Sequence, residues 1–217
     1  DLGIELDSST DNLIVDNDLS NFETAFRLLR SNDSQIENNT IANTNAGALN
    51  LTEFSYNISI INNSLSSNAL DIDITDSNFT RFIDQVMTNY TFAQAGFMIF
   101  ENSSQARLEF TNDSMEGSGV NFSLSVVRLG FNLTQSNSSL DRGMNSSANI
   151  TLFGLSDFTD PQVLVDVEDD GAPTLCDATT VPKCEEISFT SNIFVFNVTH
   201  FTTYAANESP IVTACGD

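Results

Sequence analysis

Gln35–Leu65 reads QIENNTIANTNAGALNLTEFSYNISIINNSL, and within it the phrase IENNTI returns 24 residues later as IINNSL. A pair of asparagines set between aliphatic residues, twice at one interval, signals a repeating architecture, which has to be settled before any other reading of the fold. Aligning on the doublet stacks three phrases: LIVDNDLSN from Leu13, QIENNTIAN from Gln35 and SIINNSLSS from Ser59. Ile14, Ile36 and Ile60 then coincide, as do Leu19, Ile41 and Leu65, and Asn17, Asn39 and Asn63, at intervals of 22 and 24 residues. A second phrase, GIELD at Gly3, AFRLL at Ala25, ALNLT at Ala48 and ALDID at Ala69, aligns Leu6 with Leu28, Leu51 and Ile72. FIDQVM adds a last echo, with Phe82 beneath Ile60 and Gln85 beneath Asn63.

Each turn consists of short alternating segments broken by Asn, Asp, Ser or Gly, the pattern of strands joined by tight turns. One stretch competes: NFETAFRLLR (Asn21–Arg30) holds helix formers, with Ser20 as an N-cap and Glu23 at the capping-box position. A helix there would break the register that Leu6, Leu28 and Leu51 share, so the stretch is read as a strand. A strand-built repeat of about 22 residues makes a parallel β-helix, whose coils stack about 4.8 Å apart. About four coils over residues 1–88 would stand about 19 Å tall. The recurring IxNNxI resembles the parallel β-helix repeat family, whose coils carry an asparagine ladder at one turn. The resemblance places the ladder on Asn17, Asn39 and Asn63. Asparagine suits such a place because it tolerates the left-handed conformation and its amide can bond to identical amides above and below.

After about Tyr90 the period is lost. The segments TFAQAGFMIF, ARLEF, VNFSLSVVRLGFNL, ANITLFGL, QVLVDV, EISF, IFVFNVT and TTYAA alternate or are aromatic-rich, and polar clusters separate them. Short strands without a helical stretch predict an antiparallel β-sandwich over residues 89–217. The fold class expected is therefore all-β, a short right-handed parallel β-helix followed by a β-sandwich.

The charge is extreme, with 7 Lys plus Arg against 30 Asp plus Glu and a formal net charge of -23. Such a surface repels nucleic-acid backbones and anionic headgroups. Disorder is excluded by 40% apolar residues and 17 Phe. No apolar run reaches the roughly 18 residues of a membrane span.

Asparagine is the second anomaly. Of 25 Asn, 16 head an Asn-x-Ser/Thr sequon: Asn32, Asn38, Asn50, Asn57, Asn62, Asn78, Asn89, Asn102, Asn112, Asn121, Asn132, Asn137, Asn145, Asn149, Asn197 and Asn207. Chance placement would give roughly five. An N-glycosylated chain outside the cytoplasm is expected. Asn38 and Asn62 head sequons while their ladder neighbours Asn39 and Asn63 do not, which would set glycan acceptors outward and ladder amides inward. No secretory leader begins at Asp1, so a secreted chain is expected to be mature or an excerpt.

Cys176 and Cys184 lie close in LCDATTVPKC, and an oxidising compartment would let them pair, leaving Cys215 over. A second resemblance now enters. NSSANITLFGL (Asn145–Leu155), VDVEDDG (Val165–Gly171), the two cysteines and FVFNVTHFTTYAA (Phe194–Ala206) resemble the C-terminal module that follows β-helix repeats in large archaeal cell-surface proteins. That resemblance spans residues 90–207, supports the Cys176–Cys184 disulfide, and implies a secreted or surface-layer-like protein with no assigned enzymatic activity.

Catalysis has to be tested, because parallel β-helices include polysaccharide lyases. Such chemistry needs a basic residue beside carboxylates, and Arg27 or Arg30 is the candidate. Arg27 aligns one coil from Asn50 and two from Asp71. The densest carboxylate clusters are DIDITDS, with Asp71, Asp73 and Asp76, and DVEDDG, with Asp166, Glu168, Asp169 and Asp170. A structural calcium ion is expected at the second if at either, without EF-hand spacing. Otherwise no cofactor is expected. His200, the single histidine, is read as a strand residue with a packing or hydrogen-bonding role. The functional expectation is a non-enzymatic building block of a cell-surface layer, sheath or filament. Asp1 begins inside a coil, so upstream coils or copies docking head to tail are expected to cover that end. An adhesin or glycan-binding module is the alternative, favoured by exposed aromatics on one face; a polysaccharide lyase is a third reading.

Overall fold

Aliphatic residues two apart turn their side chains to one side, and each short segment pairs with its copy in the next coil. The computed structural model describes residues 1–137 and 144–208. The first coil holds β1 (Leu2–Asp7), β2 (Leu13–Val15) and β3 (Asp18–Ser20); the second β4 (Thr24–Leu29), β5 (Gln35–Glu37) and β6 (Thr40–Ala42). The third has β7 (Gly47–Thr52), β8 (Ser59–Ile61) and β9 (Ser64–Ser66). The fourth has β10 (Ile72–Thr75) and β11 (Arg81–Ile83), and the fifth β12 (Tyr90–Ala95) and β13 (Ile99–Asn102). All pair in parallel from coil to coil, forming three walls. Asn21–Arg30 is strand, not helix: β4 lies between β1 and β7.

The register confirms most of the alignment. Ile14, Ile36, Ile60 and Phe82 stack, and Phe100 continues the column. Leu19, Ile41 and Leu65 form another. One placement is corrected: Leu51 sits over Ile74, while Ile72 lies beneath Leu49. A slip of two residues keeps every side chain on its own face, so alternation alone cannot reveal it. Parallel pairing also runs on to Glu101, past the residue-88 boundary expected. The fourth-to-fifth step is shorter, 18 residues from Phe82 to Phe100, and so escaped a search at 22 to 24.

Corners are made by left-handed residues in register. Ser8, Arg30, Glu53, Asp76 and Gln94 form one column, and Asp11, Asp33, Asn57, Phe79 and Phe97 a second. Asp16, Asn38, Asn62 and Asp84 make a third, and Asn21, Asn43 and Ser67 a fourth.

The core changes character along the axis. Aliphatic columns give way to Phe82, Tyr90, Phe92 and Phe100, all buried. Phe122 packs on Tyr90, Phe92 and Phe100 at ring-centroid distances of 4.7, 5.6 and 5.1 Å. Fully burying one such side chain is worth about 1.5–3 kcal/mol. Phe122 is delivered by a π turn (Phe122–Val126) that follows left-handed Asn121. The alternation there had predicted strand throughout; plugging the coil end overrides it.

Beyond the fifth coil come β14 (Ala106–Phe110), β15 (Met115–Gly119), β16 (Val127–Gly130), β17 (Leu133–Ser136) and β18 (Ala148–Leu152). The chain ends its described part with β19 (Pro161–Asp166), β20 (Thr174–Leu175), β21 (Cys184–Thr190), β22 (Ile193–Val198) and β23 (Thr203–Glu208). One sheet, ordered β2-β5-β8-β11-β13-β14-β18-β22-β21, passes without a break from parallel to antiparallel pairing. Its antiparallel part faces β16-β17-β23-β19-β20 across Phe110, Phe196, Phe201 and Tyr204. The sandwich thus grows out of a β-helix wall. Where the walls change pairing, Glu101 accepts from Arg81 at 2.7 Å and faces Arg107 at 4.0 Å, tying β11, β13 and β14 together.

Candidate functional site

The doublet divides its two asparagines between two environments. The second of each pair points inward: Asn17 Nδ2 donates to Asn39 Oδ1 at 2.9 Å, Asn39 Nδ2 to Asn63 Oδ1 at 3.0 Å and Asn63 Nδ2 to Gln85 Oε1 at 3.2 Å. Each acceptor oxygen also takes the backbone N–H of the residue stacked on it, and Asn39 Nδ2 also reaches the Ile14 and Glu37 carbonyls. Asn39 and Asn63 are buried, so this satisfaction is what makes them tolerable there. The left-handed conformation belongs to the first residue, at Asn38 and Asn62. Sequence reasoning had given both properties to one position.

Further inward polar groups escaped the sequence. Ser31 and Ser55 are buried, and Ser55 Oγ accepts from Ser31 N at 3.3 Å. Asn68 Oδ1 accepts from Thr44, and Asn68 Nδ2 donates to Asp71. A column of small residues at 22 to 24 would have been the signal.

None of the sixteen sequon asparagines is buried. Asn38, Asn57, Asn62, Asn121, Asn145 and Asn207 are exposed; Asn32, Asn50, Asn78, Asn89, Asn102, Asn112, Asn132, Asn137, Asn149 and Asn197 are partly so. The three buried asparagines, Asn39, Asn63 and Asn68, head none. Asn62 Nδ2 donates to Asn38 Oδ1 at 2.9 Å, an outer rung beside the inner ladder. Asn132 is clamped to the Ala206 backbone at both ends of its amide, at 2.7 and 2.8 Å.

Arg27, Arg30, Arg81 and Arg107 are engaged in ion pairs. Arg27 faces Glu5 at 3.7 Å; Arg30 bonds Asp7 at 2.6 Å and Glu53 across the next coil. The hydrogen bond to Asp7 raises the proton affinity of Arg30, the reverse of what a proton-abstracting base needs. Hydrogen bonds from Ser8 and then Arg30 hold the Asp7 carboxyl below its ordinary range. Arg27 continues into Asn50 and Asp73, not Asp71, by the two-residue slip described above. Asn50 Nδ2 reaches Asp73 Oδ2 at 3.2 Å, and burial pushes the Asp73 pKa up. Asp71 turns inward, accepting from Thr88 N at 2.6 Å.

The other acidic cluster closes its own turn. Asp166 accepts from Asp170 N at 3.2 Å and Gly171 N at 2.7 Å, while Asp169 bonds the Thr203 hydroxyl and Asp170 accepts from Ala172 N. Glu168 is exposed on the same turn. Among the described residues no three His, Cys, Asp or Glu side chains are arranged to hold a metal ion, so calcium at Asp166, Glu168, Asp169 and Asp170 has no geometric support. Cys176 and Cys184 are disulfide-bonded, with Cα atoms 5.5 Å apart; Cys215 lies outside the described residues. His200 is exposed in a bend between β22 and β23, not in a strand. Its carbonyl accepts from the buried Tyr204 hydroxyl at 2.5 Å, a tyrosine corner that accounts for the HFTTY phrase structurally.

One surface of the β-helix carries exposed rings. Phe79 stacks on Phe97 with centroids 4.6 Å apart and meets Tyr56 at a tilt, with centroids 4.8 Å apart. Phe54, in the same coil as Tyr56, is 74% exposed.

Residues 1–141 match the family model described as right handed beta helix region. The chain belongs to the right-handed β-helix family. No curated protein and no solved structure matches it. The match covers all five coils of this right-handed β-helix and continues through β17 into the sandwich. β-helix domains of this kind occur among lyases and non-enzymes alike, so the family leaves the chemistry to the surface just described. No helix among the described residues is long and apolar enough to cross a membrane.

Proposed function

We propose that the chain is a secreted, N-glycosylated, non-enzymatic structural protein of a cell-surface layer, sheath or extracellular filament. The observation that carries this reading is the partition of asparagine: sixteen acceptors reach the surface, and the buried copies head no sequon. The disulfide fits an oxidising compartment. The C-terminal resemblance to archaeal surface modules belongs to the same reading.

Assembly would use the first coil. β1, β2 and β3 each have a neighbour on one side only, and Leu13, beside the buried Ile14, is 64% exposed. Such an edge recruits strands. At the opposite end β15 and β14 pair antiparallel with β12 and β13 and Phe122 packs on the fifth coil, while β9 ends the third wall with one neighbour. Further coils of the same chain, or a second copy docked head to tail, would cover the edge of β1, β2 and β3.

The exposed rings favour a glycan-binding alternative. That surface also bears the sequons Asn32, Asn57 and Asn78, so the chain's own sugars would cover it. Glycopeptide mass spectrometry of material from the native source tests the reading. Glycans are expected at several of the exposed sequons, and a uniformly bare chain would refute it.

A further inference from the structure

We infer that the strip of rings Tyr56, Phe79 and Phe97 is the seat of an N-linked glycan carried by Asn57, whose innermost sugar packs on the exposed aromatic surface. This rests on the glycosylation reading above.

The strip is two columns wide. Thr10, Asn32, Tyr56, Asn78 and Gly96 follow one another through parallel bridges. The next residue in each coil, Asp11, Asp33, Asn57, Phe79 and Phe97, is left-handed, with φ between 50° and 58°. Asn57 therefore stands one coil, about 4.8 Å, from Phe79 in the same column. Left-handed backbone suits Asp and Asn and penalises bulky residues. Phe79 and Phe97 occupy it nonetheless and present stacked rings at the surface, Tyr56 and Phe79 being 46% and 37% exposed. Leaving apolar area wet forgoes about 25 cal/mol per Å². A pyranose matches this surface: its C–H face is apolar and its rim carries hydroxyls for Asp33 and its neighbours.

Among the three sequons of the strip, Asn57 is the exposed one. The Asn78 carboxamide is folded onto Gly96, where an added Cβ would lie 2.2 Å from its Oδ1. Asn57 Nδ2 donates to Asp33 Oδ1 at 2.7 Å. Glycosylation forms a bond from Nδ2 to the anomeric carbon of a phosphate-activated oligosaccharide. The C–O bond to phosphate breaks, its electron pair leaves with the phosphate, and the amide nitrogen loses one proton. One N–H remains to donate to Asp33 and aim the sugar.

The test is hydroxyl-radical footprinting of the native glycoprotein against Ser59→Ala, which abolishes the sequon and leaves Asn57 in place. A glycan at Asn57 with Tyr56 and Phe79 at least threefold less reactive than in the variant supports the inference. Enzymatic removal of N-glycans from the folded protein gives the same comparison should Ser59→Ala fail to fold. An occupied Asn57 with equally reactive rings overturns the seat and leaves glycosylation standing. A bare Asn57 among other occupied sequons, or rings protected only by added free chito-oligosaccharide, also overturns it. A chain bare at every sequon overturns the underlying reading.

Discussion

At the scale of the residue, the doublet separates a buried hydrogen-bond relay from a left-handed corner, and the two respond differently to substitution. Asn39→Ala removes the acceptor of Asn17 N and Nδ2 and the donor that reaches the Ile14 and Glu37 carbonyls. It is expected to cost about 2–4 kcal/mol in denaturant unfolding, the range for breaking a buried network. Asn38→Gly removes an exposed side chain from a residue with φ of 54°, and should change stability by less than about 1 kcal/mol. Asp73 gives a pH test. Burial raises its carboxyl pKa, so the folded state holds this proton more tightly than the unfolded chain. Stability from this group is greatest in acid and falls as pH rises from the unfolded pKa through the higher folded one. Asp73→Asn keeps an acceptor for Asn50, and should raise Tm at neutral pH with the gain vanishing below about pH 4. A gain that persisted in acid would assign it to another cause.

At the scale of the element, the phrases that alternate around a doublet placed β2, β5 and β8 in correct register from residues alone. Ile14, Ile36 and Ile60 are large and β-branched, and each sits a fixed distance before an asparagine that can occupy one place in the coil. The wall of β1, β4, β7 and β10 lacks such a marker near Ile72 and Ile74, and alternation there is compatible with either register. The serine and Asn68 contacts stayed invisible because small polar residues also fill loops. Phe122 was legible as apolar and illegible as a plug, since that role depends on the fifth coil ending beneath it. Phe122→Ala should cost about 3–5 kcal/mol, with amide exchange accelerating first in β12 and β13, which it caps. Uniform acceleration across all coils would deny it that local role.

At the scale of the whole molecule, an acidic β-helix carries its sequon asparagines at the surface and runs on through one wall into its sandwich. A net charge of -23 keeps such units apart at low salt. Assembly through the first coil should therefore strengthen as salt screens repulsion within a Debye length of about 10 Å at 0.1 M, which light scattering against ionic strength checks. Substituting Leu13 by Lys, on the edge of the first coil and 64% exposed, should abolish the effect while leaving the unfolding free energy within about 0.5 kcal/mol of the native value. Electron microscopy of negatively stained material from the native source tests the central claim most directly. Ordered arrays or filaments with the chain as their repeating unit are predicted; a monodisperse single-chain particle under the same conditions would contradict it.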